Sequence, residues 1–482
     1  MTLPAETSHT VTVDTEPSLI PRTNRLGVEQ RGIEYIPDGE RRGTPRQVGL
    51  MWSGVVLNVQ VVVYGALLVG LGLSWWQSVL AILLGNLTWL VTGLCSLAGP
   101  AAGTTTFTIN RAPFGRLGNR PLAFCNWLMQ LGYEVLDLVL MVFASAALFA
   151  LAGVRLGTGG TVAVVLGLAV VQSVLPVIGH AAISRVLRLL IVPFAALFVV
   201  LAWLTADRLT VHPAAPAGWA VFLGGVALAA SASGLGWAPN AADYSRYLPR
   251  TARPGDIVGS VALGGAIPQT LLMLLGVGVA LVVPAAADPI SGLPGAYPVW
   301  FVVPYLLLLI VQMTALNAVD LYSSGVTLQA IGVPIGRWQA VVLDGVICAA
   351  VSVAVVLSGD FSTIVSDFLL FMIVWFAPWA AVFVVDHLLR RGRYDLGALA
   401  ATGPRRSGWR SGWRAGLGAG FSTAGVVAQL AGMAAAALWL NTSVYVGALS
   451  RVTGGLDLSV PAGLLVGGLA YLLLARRTVG PA

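Results

Sequence analysis

The amino-acid sequence predicts an all-α integral membrane protein with about twelve transmembrane helices. Of its 482 residues, 57% are hydrophobic and only 10% are charged, whereas about 25% of the residues of a soluble domain carry charge. The apolar residues also form repeated continuous blocks of the roughly 20-residue length that a helix needs to cross the hydrocarbon layer. An outer-membrane barrel would instead show alternating segments of about 10 residues, so the blocks favour helices.

We number the predicted segments spans 1 to 12 in chain order. They cover residues 47–72, 75–98, 121–152, 160–180, 186–206, 217–247, 257–284, 299–331, 338–358, 361–386, 415–440 and 457–475. We accordingly divide the chain into five parts. These are a charged cytoplasmic N-terminal segment (1–46), a first part of the core with spans 1–6 (47–247), a second part with spans 7–10 (248–386), a cytoplasmic loop (387–414), and spans 11 and 12 with a short C-terminal tail (415–482).

The distribution of arginine predicts the orientation of these spans. The chain has a net charge of +7 and contains no lysine. With both termini in the cytoplasm, every arginine except Arg155, Arg208 and Arg451 lies on the cytoplasmic side, as the positive-inside rule requires. We therefore expect a multi-pass protein of the cell membrane. The arginines are scattered among short loops, which does not favour a nucleic-acid partner.

The sequence lacks the motifs of several enzyme classes. A Walker A loop needs a lysine to reach the phosphates, and the chain has none. Its four histidines form no HExxH motif, and no acidic cluster of the DDxxD type is present. The three cysteines lie far apart in apolar segments, without a CxxC pair. We therefore expect no enzymatic activity, no cofactor and no bound metal, with an integral membrane enzyme or a channel as alternatives from other classes.

Five carboxylates lie inside the predicted spans, where an ionisable group is costly and indicates a functional site. Asp344 and Asp367 lie near helix starts, which favours structural roles. Asp137 and Asp320 lie deeper and are candidates for substrate binding, with a buried structural pair as the alternative. The fifth carboxylate, Glu134, lies beside the face of Asp137 and can pair with another helix.

Tyr133 and Asp137 are four residues apart in span 3 and therefore share one helix face. An aromatic ring and a carboxylate would then point into the same cavity. A simple packing role for Tyr133 is the alternative.

Spans 6 and 1 carry residues that interrupt a helix. In span 6, Gly234, Gly236 and Pro239 fall within six residues, and Trp237 lies among them. Proline removes a helical hydrogen bond, so we expect a broken helix whose freed backbone groups can face a ligand; a kink without function is the alternative. Span 1 contains Gly54, Asn58 and Gln60 in its interior. Interruptions at matching positions of two halves indicate a transporter site.

Five motifs occur in order along the chain. They are VEQRGIEYIPDGERRGTP before span 1, INRAPFGRLGNR after span 2, GWAPNAADYSRYLP in span 6, NAVDLYSSGVTLQAIG in span 8 and APWAAVFVVDHLLRRGRYD at the end of span 10. Together they resemble the motifs of the purine–cytosine permeases of the nucleobase:cation symporter family. The resemblance implies a leucine-transporter-like fold of two inverted five-helix repeats plus two C-terminal helices. It also implies a substrate near mid-membrane between spans 1, 3, 6 and 8.

The resemblance further implies roles for individual residues. In the hydantoin-carrying members, two tryptophans enclose a flat ring; Trp237 matches one, and Tyr133 stands in place of the other. Asp137 and Asp320 replace two amides that hydrogen-bond the ring. The other expected substrate-binding groups are Asn58 and the backbone around Gly236. Thr314 matches the first of two hydroxyls that hold sodium in sodium-coupled members, and Ala315 replaces the second.

The sequence thus predicts a secondary active transporter that takes up a nucleobase, such as cytosine or a purine, with a coupling cation. Alternative substrates are allantoin, hydantoin, thiamine and pyridoxine; a cationic thiamine would suit two carboxylates. Because Ala315 removes a sodium ligand, while Asp137 and Asp320 can each hold a proton, we expect a proton rather than sodium. These two acids and Thr314 are the candidate cation-coupling residues.

Overall fold

A computed structural model describes residues 35–178, 180–210, 215–283, 290–331, 337–400 and 420–476. The first half of the described chain is helical apart from short connections. Its helices are α1 (Pro45–Val56), α2 (Val59–Gly70), α3 (Trp75–Asn86), α4 (Trp89–Cys95), α5 (Ala98–Ala102), α6 (Thr106–Ile109), α7 (Arg111–Leu151), α8 (Thr158–Ile178), α9 (His180–Ala206), α10 (Trp219–Ala230) and α11 (Ala241–Ser245).

The second half continues in the same way. Its helices are α12 (Pro254–Val282), α13 (Leu293–Ala296), α14 (Val299–Ile331), α15 (Arg337–Ser358), α16 (Phe361–Leu389), α17 (Leu396–Ala400), α18 (Thr423–Trp439), α19 (Ala448–Val452) and α20 (Ser459–Ala475). No named β-strand occurs in the ranges that the structure describes; Asn441 and Val446 form an isolated β-bridge. The predicted all-α class is therefore confirmed.

Helices occupy the position of each predicted span, although not all of them have the length of a full crossing. Among the described residues, seven continuous stretches are long and apolar enough to cross a membrane, and the pair α1–α2 reaches that length only when taken together. Four shorter apolar helices cover 158–173, 192–206, 423–439 and 459–475. The prediction of apolar membrane helices is confirmed, whereas the number of twelve crossings stays a prediction.

The packing of the helices brings the predicted site residues toward one region. The long helix α7 packs along α14, and α12 packs against both α1 and α2. The pair α18 and α20 forms a separate contact with α16. Large apolar side chains such as Leu83, Val170 and Leu271 are exposed on the outside, as expected for surfaces that face lipid. Buried polar side chains such as Gln60 of α2, Asp137 of α7 and Asn317 of α14 lie inside the bundle.

The segment before span 1 is fixed to the bundle through Arg41. Its side chain is buried and donates hydrogen bonds to the carbonyl oxygens of Ile36 and Pro100, each at 2.8 Å. Burial lowers the pKa of the Arg41 guanidinium below its usual value. The earlier part of the predicted N-terminal segment, residues 1–34, and residues 401–419 of the predicted loop and of span 11 lie outside the described residues.

Candidate functional site

Span 1 is broken at Leu57 and Asn58, as its interior polar residues predicted. Helices α1 and α2 meet there at a bend of 62°. The Asn58 side-chain amide donates to the carbonyl oxygen of Val55 at 2.9 Å, and its side-chain oxygen accepts from the backbone N–H of Val61 at 3.1 Å. An Asn oxygen at a helix N-cap satisfies an N–H that the helix itself leaves open. Asn58 thus stabilises the ends of both half-helices.

The same break is fastened to span 8 by Gln312. The amide nitrogen of Gln312, on α14, donates to the carbonyl oxygen of Leu57 at 2.8 Å. The side-chain oxygen of Gln312 is buried and has no hydrogen-bond partner among the described residues. Sequence reasoning missed Gln312, because a glutamine inside an apolar helix gives no indication of which backbone carbonyl it will reach.

Span 6 is broken as well, at the position that its glycines and proline predicted. Helix α10 ends at Ala230 and continues as a π-helical turn, Ser231–Leu235, in which Ser233 has non-helical dihedral angles of φ −107° and ψ −139°. A 3₁₀ turn, Ala238–Asn240, then leads into α11. Pro239 lies in that turn, where the missing N–H costs no helical hydrogen bond.

Side chains from spans 2 and 7 donate hydrogen bonds to carbonyl groups that have no helical partner at this break. The hydroxyl of Thr92 donates to the carbonyl oxygen of Gly234 at 2.5 Å, and the amide of Gln269 donates to that of Ala232 at 2.8 Å. The N–H of Gly236 bonds within the turn. Buried backbone groups normally find such partners. The break is therefore a fixed part of the fold, stabilised by neighbouring helices.

Both predicted aromatic residues lie at this break. A Cβ atom added to Gly236 would lie 3.0 Å from the Tyr133 hydroxyl oxygen, so Tyr133 of α7 lies directly against span 6. The Tyr133 ring makes an edge-to-face contact with Phe368, with centroids 5.6 Å apart. Trp237, the residue after Gly236, makes a similar contact with Trp52 of α1 at 5.7 Å. Sequence reasoning missed Phe368 and Trp52, which resemble ordinary core aromatics.

Asp137 forms the polar centre of the site. It is fully buried, and one of its carboxylate oxygens accepts a hydrogen bond from the Gln60 amide of α2 at 2.9 Å. The other oxygen has no partner within the described ranges. Asp320, which is only partly buried, interacts electrostatically with Asp137 and with the hydroxyls of Tyr133 and Tyr64. The structure therefore brings together three of the predicted residues and adds Gln60 and Tyr64.

Thr314 lies one helical turn beyond this group. Its hydroxyl donates to the carbonyl oxygen of Ile310 at 2.7 Å and lies 3.2 Å from the sulfur of Met141, which is four residues after Asp137 on α7. Ala315 is fully buried next to it. The hydroxyl proton of Thr314 is thus donated to a backbone carbonyl of its own helix. Gln312 is the nearest polar side chain of α14 in sequence.

Two further observations concern metal binding and a second cavity in the described chain. No group of three or more His, Cys, Asp or Glu side chains is placed to hold a metal ion in the described ranges. An apolar cavity of about 210 Å³ lies between α7, α15 and α16, lined by residues such as Leu128, Val135, Val351 and Phe368. It offers almost no polar surface, so a heterocycle with several N–H groups would leave them unpaired there.

Comparison with solved structures identifies a similar fold. Mhp1, a nucleobase-cation-symport-1 family transporter solved in a closed conformation with bromovinylhydantoin bound, superposes with a TM-score of 0.70 at 16% identity, over 93% of this chain and 95% of Mhp1. A Na⁺-coupled sialic acid symporter gives a TM-score of 0.54 at 11% identity, over 92% of this chain and 91% of the symporter. At these identities the likeness shows the fold alone.

Sequence comparison covers nearly the whole chain. The family model described as permease for cytosine/purines, uracil, thiamine, allantoin matches residues 35–467. A Bacillus subtilis protein provisionally named purine–cytosine permease YxlA is 25% identical over 94% of this chain and 96% of its own length. The purine–cytosine permease fcyB of Emericella nidulans is also 25% identical, over 93% of this chain and 88% of its own length. These relatives are permeases, which confirms that the chain is a transporter and not an enzyme. The chain belongs to the purine–cytosine permease family of nucleobase:cation symporters.

Proposed function

We propose that this transporter carries a nucleobase, such as cytosine or a purine, into the cell together with a proton, by alternating access. The observation that carries this proposal is the Asp137 carboxylate, which is fully buried with one oxygen paired to Gln60 and the other unpartnered within the described residues. Burying an unpaired polar atom is costly. A substrate N–H that bonds this oxygen would remove that cost.

The neighbouring groups suit a flat ring with polar edges. Trp237 and Tyr133 would stack on the two faces of the ring, while Asp137 and Asp320 would accept hydrogen bonds from its N–H groups. Asn58 would contribute by fixing the break in span 1, and the backbone near Gly236 would form one wall. A nucleobase carries several N–H donors along its edge, so acceptors supplied by two carboxylates match its chemistry.

A second candidate substrate is a cation such as thiamine. Two carboxylates with aromatic rings nearby would attract a cationic heterocycle by charge and by cation–π interaction. Allantoin, hydantoin and pyridoxine are the neutral alternatives. A thermal-shift screen of the purified protein against these compounds would separate the candidates, because a ligand that binds only the folded state raises its apparent melting temperature. The largest shift with thiamine would contradict the nucleobase assignment.

Two features of α14 support a proton rather than sodium as the coupling ion. Ala315 lacks the second hydroxyl that a sodium ion would need, and a hard cation depends on several oxygen ligands. In addition, the Leu57 carbonyl at the break in span 1 is already bonded to the Gln312 amide. Two nearby carboxyl groups, Asp137 and Asp320, can instead share or exchange a proton, and Thr314 lies six residues before Asp320 on the same helix.

The coupling ion is tested by uptake into proteoliposomes with imposed gradients. An inward proton gradient should drive accumulation of the substrate without sodium. Asp320→Asn should abolish the pH dependence of uptake, because an amide at this position cannot lose a proton. Asp367→Asn is the matched control, since Asp367 bonds to Ser443 away from the site. Accumulation that requires sodium and ignores the proton gradient would contradict the choice of ion.

We also propose the arrangement of the whole chain. Twelve crossings would comprise two inverted repeats of five spans followed by spans 11 and 12, with both termini in the cytoplasm and the protein in the cell membrane. The helix breaks in spans 1 and 6, the first spans of the two proposed repeats, support this arrangement.

A further inference from the structure

Glu134 is a second buried carboxyl group on α7, which the proposed substrate site does not use. It is fully buried, and neither of its carboxylate oxygens has a hydrogen-bond partner among the described residues. An ionised carboxylate in a protein interior is costly unless it is paired. A carboxyl group kept in such a position inside a membrane protein marks a functional site, so the surroundings of Glu134 are informative.

A polar cluster surrounds Glu134 where α7, α8, α14 and α15 meet. The Asn317 amide donates to the Glu134 backbone carbonyl at 3.0 Å and to the side-chain oxygen of Gln172 at 2.6 Å. The Gln172 amide in turn donates to the sulfur of Cys348 at 3.6 Å. The side-chain oxygen of Asn317 is buried without a partner in the described chain. Three side-chain oxygens, two of Glu134 and one of Asn317, are thus available to accept hydrogen bonds.

The groups that interact with Glu134 are acidic. Asp344 of α15, Asp320 of α14 and Asp137 of α7 all interact with it electrostatically, with Asp344 the strongest. The Cys348 thiol of α15 also interacts with it. No arginine is among these partners within the described residues.

The other helices packed against α7 bring no additional free charge toward Glu134. On α16, Asp367 bonds to Ser443, Asp386 forms an ion pair with Arg390, and the His387 imidazole bonds to Tyr394. The described part of α8, together with α6 and α18, contains no ionisable side chain. The negative charge of an ionised Glu134 is therefore best neutralised by a proton.

Glu134 lies between the substrate site and a third acid. Along α7 it precedes Asp137 by three residues, about 4.5 Å at 1.5 Å per residue. Trp127 precedes Glu134 by seven residues, about 10.5 Å along the helix axis. The Trp127 indole donates a hydrogen bond to one oxygen of Asp344 at 3.1 Å. The hydroxyl of Ser324 donates to the other Asp344 oxygen at 2.5 Å. The acids thus lie in order along α7, from mid-membrane toward the N-terminal end of the helix at Arg111.

We propose that Glu134 is a second proton-binding residue, which passes the coupling proton from the acids of the substrate site to Asp344 and so toward the cytoplasm. This inference rests on the proposed proton coupling. In the first step, a protonated Asp137 or Asp320 loses its proton to the Glu134 carboxylate. In the second, Glu134 loses it to the Asp344 carboxylate. Each step breaks one O–H bond and forms another, so charge and atoms balance and no other reactant is needed.

Glu134→Gln tests the relay, because the amide keeps the size of the side chain but cannot pass on a proton. In proteoliposomes with an inward proton gradient, the substrate should no longer concentrate, and its internal-to-external ratio should fall to about 1. Substrate-for-substrate exchange at equal pH, which needs no net proton release, should persist. A pH-sensitive dye inside the vesicles should show that substrate entry is no longer accompanied by protons. Asp367→Asn serves as the matched control and should accumulate substrate like the wild-type protein.

The outcomes separate the relay from the coupling proposal. If the wild-type protein concentrates substrate with a proton gradient and Glu134→Gln does so equally well, the relay is wrong and the coupling stands. If the wild-type protein ignores the proton gradient, both are wrong. Should Glu134→Gln fail to fold, Asp344→Asn provides the second test and should lower proton-driven accumulation while exchange persists. Glu134→Asp, which retains a carboxyl group, should recover part of the accumulation.

Discussion

Trp237 shows how one side chain can serve both the fold and the proposed function. Its ring packs edge-to-face on Trp52, and the residue before it, Gly236, lies against the Tyr133 hydroxyl. Trp237 lies between the π-helical turn and the 3₁₀ turn that contains Pro239. The broken backbone of span 6 therefore sets the position of the indole, which would differ in an unbroken helix. A ring fixed on one side by Trp52 loses little further freedom when a substrate stacks on it, which favours binding.

Trp237→Ala should weaken substrate binding roughly 5- to 150-fold, because stacking of a base on an aromatic side chain is worth about 1–3 kcal/mol in nucleic-acid complexes. Trp237→Phe should lose less, since it keeps a ring. Binding would be measured by isothermal calorimetry on purified protein. Trp203→Ala is the matched control, because the Trp203 side chain is exposed on the outside of α9. Normal affinity in a folded Trp237→Ala variant would show that Trp237 is only a packing residue.

Residue types predicted some of the site and left other parts unforeseen. Asp137 and Trp237 stand out because a carboxylate or a broken helix inside a membrane has a high cost that needs a reason. Gln60 and Gln312 carry no charge, so their cost is small and their partners, Asp137 and the Leu57 carbonyl, depend on helix packing. Glu134 was visible as an acid, but only the packing of α14 and α15 reveals that its oxygens are unpartnered.

At the scale of helices, close packing of α12 against α2 depends on glycine. Gly65 lies against the backbone of Met273, and Gly276 lies against the backbone of Val62, so a Cβ at either glycine would overlap the facing helix. Small residues let membrane helices approach in this way. This contact holds the second half of span 1 against span 7, and therefore supports the position of Gln60 beside Asp137.

Gly276→Ala should lower the apparent melting temperature, because extra methyl groups in a tightly packed region typically cost about 1–3 kcal/mol. Gly259→Ala, in the same helix, is the matched control; nothing lies within 4 Å of its added Cβ. The control should be neutral or slightly stabilising, since alanine favours a helix over glycine. Melting would be followed by size-exclusion chromatography of heated samples. Equal stability of the two variants would contradict the tight α2–α12 contact.

For the molecule as a whole, hydropathy predicted the helices well, while their ends and interruptions required the packing. Span 3 begins earlier than predicted, since α7 starts at Arg111 and includes a break at Gly115, where φ is +75°. Residues 111–120 contain three arginines and an asparagine. The hydropathy of this stretch therefore did not assign it to span 3. The predicted break in span 1 had weaker support than that in span 6, because Asn58 lacks the steric effect of proline.

The orientation of the molecule can be tested with cysteines in place of two arginines. In a background without the three native cysteines, a cysteine replacing Arg406 should resist an impermeant thiol reagent added to intact cells. One replacing Arg451, in the loop before span 12, should react. Both changes remove one positive charge from a loop, so they form a matched pair. Reaction of Arg406→Cys in intact cells, before the membrane is permeabilised, would contradict cytoplasmic termini.

The pairing of Gln60 with Asp137 also has an evolutionary consequence. Codons for aspartate and asparagine differ by one nucleotide, so a single mutation exchanges the acid for its amide. An asparagine at 137 would still offer a carbonyl oxygen to the Gln60 amide, and the helix breaks at Asn58 and Ser233 would not need to change. At the proposed substrate site, descendants of this chain can therefore exchange a charged group for a neutral one while the hydrogen bond between positions 60 and 137 is retained.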